Sequence, residues 1–324
     1  MTSDKISRQI LPEHRKNLLC FQLEAFALHN SITPRKHVFF LYMLPGFLLY
    51  TFAVVVPIFF AGYYGFFDWS GGPKMKFTGV QNYIELFHDN VFWLSFRNNL
   101  LLTLISAVGQ IGFAFIFASL LSSKLIRAKG FHRTVAFLPC VFSAVVVGFI
   151  WSMIYDCNYG LLNQILKSVG KSDWVKPWLS DSKLALVLVT IPLVWQYIGY
   201  YMVILLSSFS SIDKGVLEMA EIDGATGIKK AFYITLPLLK NTLLVCLTLC
   251  IAGSMRAFDN IYVMTGGGPD NASNVMALYA YNTSFIRYRM GYGNAMSIVI
   301  LVLSLVVIGG SRGIITKFTK GNEA

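Results

Sequence analysis

Glu218-Met219-Ala220-Glu221-Ile222-Asp223-Gly224-Ala225, followed by Ile234-Thr235-Leu236-Pro237, is a polar segment of about helix length set between two long apolar runs. It ends at a proline, which lacks the N–H needed to continue a helix. A connection this short and this charged has no core of its own to bury. It must rest on a surface, either as an amphipathic helix at a membrane interface or against a partner there. Asp213 is placed to cap the helix opened by Lys214-Gly215, and Gly224 to reverse the chain after it, because glycine takes positive φ without a Cβ clash. Lys229 and Lys230 suit a face turned to lipid headgroups or to a partner.

The flanking runs decide the class. Of 324 residues 55% are hydrophobic and 13% charged, with a mean hydropathy of +0.59. Soluble domains carry about twice that charge, so most of this chain belongs in a bilayer. Windows of about 20 apolar residues fall at roughly 39–65, 96–122, 134–156, 184–210, 240–263 and 293–315. They leave an N-terminal extension at 1–37, a membrane domain at 38–316 with a connection at 211–239, and a tail at 317–324. The first apolar run lacks a small-residue cleavage site behind a short apolar core, so no cleavable signal peptide is expected. Cys20, Cys140, Cys157, Cys246 and Cys250 show neither metal spacing nor a paired framework.

The formal net charge of +11 is a matter of orientation rather than of nucleic acid. Lys5, Arg8, Arg15, Lys16, Arg35 and Lys36 precede the first span, Lys124, Arg127, Lys129 and Arg133 join the second to the third, and Arg312, Lys317 and Lys320 follow the sixth. All three groups share one side, which the positive-inside rule makes cytoplasmic. The opposite connections mix Lys167, Lys171, Lys176 and Lys183 with Asp173 and Asp181, and carry Trp69, Trp93, Trp174 and Trp178 at their edges. Both termini and the Glu218 segment are therefore expected inside.

The pattern E-x-A-x-x-D-G-A, then I-x-L-P, resembles the cytoplasmic EAA loop of ABC importer permeases, with Met219 where that family has alanine. Three more stretches follow in order. Phe77-Thr78-Gly79-Val80-Gln81-Asn82-Tyr83 is similar to F-x-G-x-x-N-Y after the first span, Thr265-Gly266-Gly267-Gly268-Pro269 to the loop closing the fifth, and Gly291-Tyr292-Gly293-Asn294-Ala295-Met296-Ser297 to the start of the last. On these residues the chain resembles the carbohydrate branch of type I importer permeases, of the maltose and glycerol-phosphate kind. The resemblance implies an all-α polytopic membrane protein of about six transmembrane helices in a bacterial or archaeal cytoplasmic membrane. It implies ATPase coupling through Glu218, Ala220, Asp223, Gly224, Ala225 and Pro237. It implies as partners a second permease subunit, an ATPase dimer that uses ATP-Mg, an extracytoplasmic solute-binding protein and a sugar.

This chain itself is expected to hold no cofactor and to catalyse nothing. Its glycine run is a turn with positive φ, since no G-x-x-x-x-G-K-[ST] pattern is present. Polar residues inside spans are costly and mark function or helix bonding. Trp195-Gln196-Tyr197-Ile198-Gly199-Tyr200-Tyr201 joins aromatic faces to an amide, the chemistry that holds sugars. By resemblance Gln196, Tyr197 and Tyr200, with Ser254, Phe258, Asp259 and Asn260 of the fifth span, are candidates for the substrate path; packing between helices is the other reading. Arg256 and Asp259, three apart, are expected to pair on one helix face.

An ion-driven transporter would show buried acids and an internal repeat, whereas Asp259 is the single candidate acid. A membrane enzyme is disfavoured because His14, His29, His37, His88 and His132 all fall in expected loops or tails. A glycerol-3-phosphate cargo would ask for several cations, and Arg256 alone is well placed.

Overall fold

The computed structural model describes residues 36–123 and 126–320. The expectations for the N-terminal extension, including its apolar stretch Leu18 to Leu28, lie outside these residues, as do Lys124 and the last four residues. Helix α1 (His37–Tyr64) belongs up to Phe60 to a unit of its own. There Phe39, Phe40, Leu41 and Tyr42 are exposed.

From Ala61 onward the chain forms a second unit. A two-stranded hairpin, β1 (Phe67–Trp69) and β2 (Met75–Phe77), pairs Phe67 with Phe77. The short α2 (Gln81–Phe87) leads to α3 (Asn90–Ser122). The chain continues through α4 (Lys129–Val141), α5 (Ala144–Ile154), α6 (Leu161–Ser168) and α7 (Ala185–Phe209). The connection contains α8 (Lys214–Ile222) and α9 (Gly227–Leu238), followed by α10 (Lys240–Met255). Last come α11 (Asp259–Met264), α12 (Met276–Tyr281) and α13 (Met290–Lys320).

Among the described residues, α1, α3, α7 and α13 are long and apolar enough to cross a membrane singly, and α4–α5 and α9–α10 do so as bent pairs, at 96° and 78°. The exposed residues of α3 and α13 include Leu104, Val108, Leu305 and Val306, an apolar exterior suited to lipid. In their apolar windows α7 and α3 are 39% and 33% buried, against 17% for α13, so these two helices form the centre. Around them Ala114, Ala118, Met202, Leu205, Cys246 and Cys250 pack as one cluster joining α3, α7 and α10.

Four details differ from the sequence reading. The window 134–156 is broken at Phe142 and Ser143, both extended, three residues after Pro139. The window 240–263 is broken between Met255 and Asp259, so Arg256 and Asp259 do not share one helix face. The last helix continues through 317–320, into the expected tail. His37 and His132 lie in helices rather than loops.

The recurring motifs act as local staples. Asn82 Nδ2 donates to the carbonyls of Gly65 and Phe67, both at 2.9 Å, tying the end of α1 to the hairpin. Gly266 and Gly267 take φ of +60° and +92°, which closes the turn after α11. Tyr292 donates to Asp89 Oδ2 at 2.7 Å, and Gly293 lies where a Cβ would strike the Ser284 hydroxyl.

Candidate functional site

A cavity of about 500 Å³ with a mixed polar and apolar lining opens among α3, α7, α10 and α11. Tyr197, Tyr200, Ser254, Phe258, Asp259 and Asn260 all line it, and Arg256 joins them. Gln196 does not. It is buried, with Nε2 donating to the Phe142 carbonyl at 2.9 Å. The side chain thus satisfies a backbone acceptor freed where α4 gives way to α5, as an apolar environment requires. Of the seven candidates for the substrate path, it is the one that does not line this cavity.

The lining combines three kinds of group. Tyr197, Tyr200 and Phe258 supply ring faces, and the Phe258 ring stacks on Tyr262 at 5.3 Å, which meets Tyr281 at 5.7 Å. Arg256 and Asp259 supply one positive and one negative group. Among the described residues they form no ion pair; Arg256 Nε donates instead to the Ala252 carbonyl. Asn260 supplies a buried amide whose nitrogen and oxygen both lack a partner. Such a group costs about 1–3 kcal/mol unless something else satisfies it.

Three further residues position the cavity and were missed at the sequence level. Gln110, in the π-helical turn Ala107–Ile111 of α3, lines the cavity, donates to the Leu193 carbonyl and accepts from Cys250 Sγ. Asn99 spans the break after α10: its Nδ2 donates to the Ser254 carbonyl and its Oδ1 accepts from Met276 N at 2.8 Å. Asn98 Nδ2 reaches the carbonyls of Asn271, Ala272 and Asn274, holding the loop that follows α11. The usable signal was present, namely three amides inside the apolar window 96–122, where such groups are costly.

The second site is the connection 211–239. Asp213 Oδ1 accepts from Gly215 N at 2.7 Å and caps α8. At the other end Gly224 takes φ +79°, Gly224 N donates to the Glu221 carbonyl, and Ala225 N to the Ala220 carbonyl at 2.8 Å. This pair of bonds is the Schellman arrangement, which satisfies the last carbonyls of a helix and needs a left-handed residue at its pivot. Small residues at 220 and 225 fall on the two ends of the bond that spans more of the chain. Glu218, Asp223 and Pro237 are exposed, and Ala220 is buried.

The outward surface of this connection is more apolar than its sequence suggests. Met219 and Ile222 are 60% and 85% exposed, and Ile228 and Tyr233 are exposed as well. The Lys230–Glu221 ion pair, at 2.8 Å, ties α9 to α8. Phe232 meets Phe115 of α3, which meets Phe209 at the end of α7, both at 5.9 Å. A chain of aromatic contacts therefore runs from the connection into the two central helices.

A family model described as "Binding-protein-dependent transport system inner membrane component" matches residues 110–317. The chain is 35% identical to the probable ABC transporter permease protein YurN of Bacillus subtilis, over 85% of this chain and 95% of that one. It is 30% identical to the lactose transport system permease protein LacF of Rhizobium radiobacter, over 73% and 80%. It is also 30% identical to the diacetylchitobiose uptake system permease protein NgcF of Streptomyces coelicolor, over 85% and 81%. In fold it resembles a chain of a bacterial ABC transporter involved in import of the acidic polysaccharide alginate, with TM-score 0.75 and 20% identity, over 90% of this chain and 99% of that one.

Proposed function

The chain belongs to the family of binding-protein-dependent transport system inner membrane components, and from that premise we propose that it is one permease half of an ATP-driven sugar importer. The observation that carries the cargo class is the cavity. Ring faces from Tyr197, Tyr200 and Phe258 suit the C–H faces of a pyranose, and the free amide of Asn260 suits its hydroxyls. One cation and one carboxylate face the same space, which favours a neutral oligosaccharide over a phosphorylated solute such as glycerol-3-phosphate.

In this reading the cytoplasmic side is the one bearing α8, the termini and the basic connection before α4. A second permease closes the other half of the path, a solute-binding protein delivers sugar from outside, and an ATPase dimer that uses ATP-Mg sits below. The ATPase takes hold of α8 through Met219, Ile222 and the turn at Gly224. Its movement reaches the cavity through the Phe232–Phe115–Phe209 contact and the helices α3 and α7. Because α3 also holds the break between α10 and α11 through Asn99, tilting it changes the shape of the lining. The two cavity shapes then differ in their contacts to sugar, as a coupled shift requires.

The test is affinity capture of the chain from its native membranes, with mass spectrometry of what co-purifies and sugar screening on the recovered binding protein. Recovery of a second six-span permease together with a P-loop ATPase supports the reading. The chain emerging alone, or only with itself, overturns it in favour of an ion-driven transporter.

A further inference from the structure

A second space, apolar and about 580 Å³, lies away from the cavity on the outer surface of the bundle, between α3, α4 and α7. Phe113, Phe117, Val135 and Trp195 wall it and are exposed. Along α3 it extends from Phe113 to Leu121, eight residues at 1.5 Å each. That is about 12 Å, close to half the roughly 30 Å thickness of a hydrocarbon core, so the groove is one leaflet deep. Its end nearest the connection into α4 includes Ile126 and His132. Arg127, Lys129 and Arg133, around that same end, are exposed and make no ion pair among the described residues.

We propose that this groove is a binding site for one anionic phospholipid of the adjoining leaflet, with an acyl chain along the α3–α4–α7 wall and the phosphate beside Arg127, Lys129 and Arg133. Two observations choose this occupant. The volume suits an acyl chain, whereas a membrane-long helix about 10 Å across and 30 Å long displaces roughly four times as much. The charge is complementary: an apolar slot ending in three cations matches a molecule that is apolar for one leaflet's depth and then negative. Helix α4 forms one wall of the groove, from His132 to Pro139.

The experiment uses the importer complex captured intact, washed in detergent, with retained lipid quantified by class. Phosphatidylglycerol and phosphatidylethanolamine are offered in equal amounts. Wild type is expected to retain phosphatidylglycerol in preference, Val135→Trp to lose retention of both, and Arg133→Gln to lose about fivefold of the preference, the worth of one basic residue at an anionic surface. A benzophenone side chain placed at Val135 should cross-link to lipid. Equal retention of the two lipids in wild type and both variants would mean bulk boundary lipid only and would sink the proposal. A benzophenone cross-link to a second polypeptide would equally overturn it, assigning the groove to a partner helix. Normal capture of the partner subunits alongside either negative result leaves the importer reading standing, so the two can fail separately.

Discussion

Gln196 Nε2 donates at 2.9 Å to the carbonyl of Phe142, joining the central helix α7 to the point where α4–α5 turns by 96°. A residue that looks like a sugar ligand in sequence is a brace in space. Gln196→Leu orphans the Phe142 carbonyl but also removes Gln196 Oε1, itself buried without a partner. It should therefore lower the thermal stability of the detergent-solubilised complex by about 1 kcal/mol, the low end for an orphaned buried acceptor. Uptake should fall in proportion to folded protein, with the KM for sugar unchanged. A raised KM at wild-type stability would return Gln196 to the substrate path.

Asn260 predicts the opposite split. Its amide is buried without a partner, so Asn260→Leu should leave stability unchanged or raise it slightly. If the amide meets sugar hydroxyls, the KM of uptake should rise about tenfold, the worth of roughly one hydrogen bond. Uptake kinetics beside a thermal melt of the same preparation separate the two effects. An unchanged KM would remove Asn260 from the site.

Two glycines test the difference between space and backbone. At Gly199 a Cβ would fall on the Ala136 carbonyl, so Gly199→Val should force α7 from α4 and cost yield of folded protein. At Gly224 a Cβ meets nothing within 4 Å, but φ is +79°. Gly224→Val should then cost only about 1–2 kcal/mol in the local turn. The expected result is normal membrane insertion with loss of both uptake and sugar-stimulated ATP hydrolysis. Wild-type transport in Gly224→Val would refute coupling through this turn.

The exposed apolar surface of α8 gives a direct contact test. Ile222→Glu alters nothing that the fold buries, since the side chain is 85% exposed. It should abolish co-purification of the ATPase while the second permease is still recovered. Retention of the ATPase at wild-type stoichiometry would place docking elsewhere.

Asp89 Oδ1 accepts from Val91 N and Phe92 N, capping α3, and Oδ2 accepts from Tyr279 and Tyr292, each at 2.7 Å. Asp89→Ala removes the cap and orphans two phenols, so it should destabilise by about 2 kcal/mol or more. Tyr279→Phe alone should cost less. In a double-mutant cycle on thermal stability the two changes should couple by at least about 0.5 kcal/mol. Simple additivity would show that the tyrosine bond contributes nothing.

Hydropathy alone determined the membrane class, because burying some 20 apolar residues in hydrocarbon is a local, additive effect that needs no tertiary contact. Local chemistry also determined the turn of the connection: an Asp cap, a left-handed glycine and small residues at 220 and 225 are short-range demands. The tertiary structure alone decided where polar side chains inside the spans point. A helix presents a residue to cavity, lipid or neighbour according to its rotation and bends, and those are set by packing against other helices. Gln196 and Tyr197 are adjacent in the chain, yet one satisfies a carbonyl at a kink and the other lines the cavity. Arg256 and Asp259 have the spacing of a helix pair, but Asn99, more than 150 residues earlier, holds the chain at the break between them. Both breaks are held by bonds between distant segments, and periodicity carries no record of such bonds.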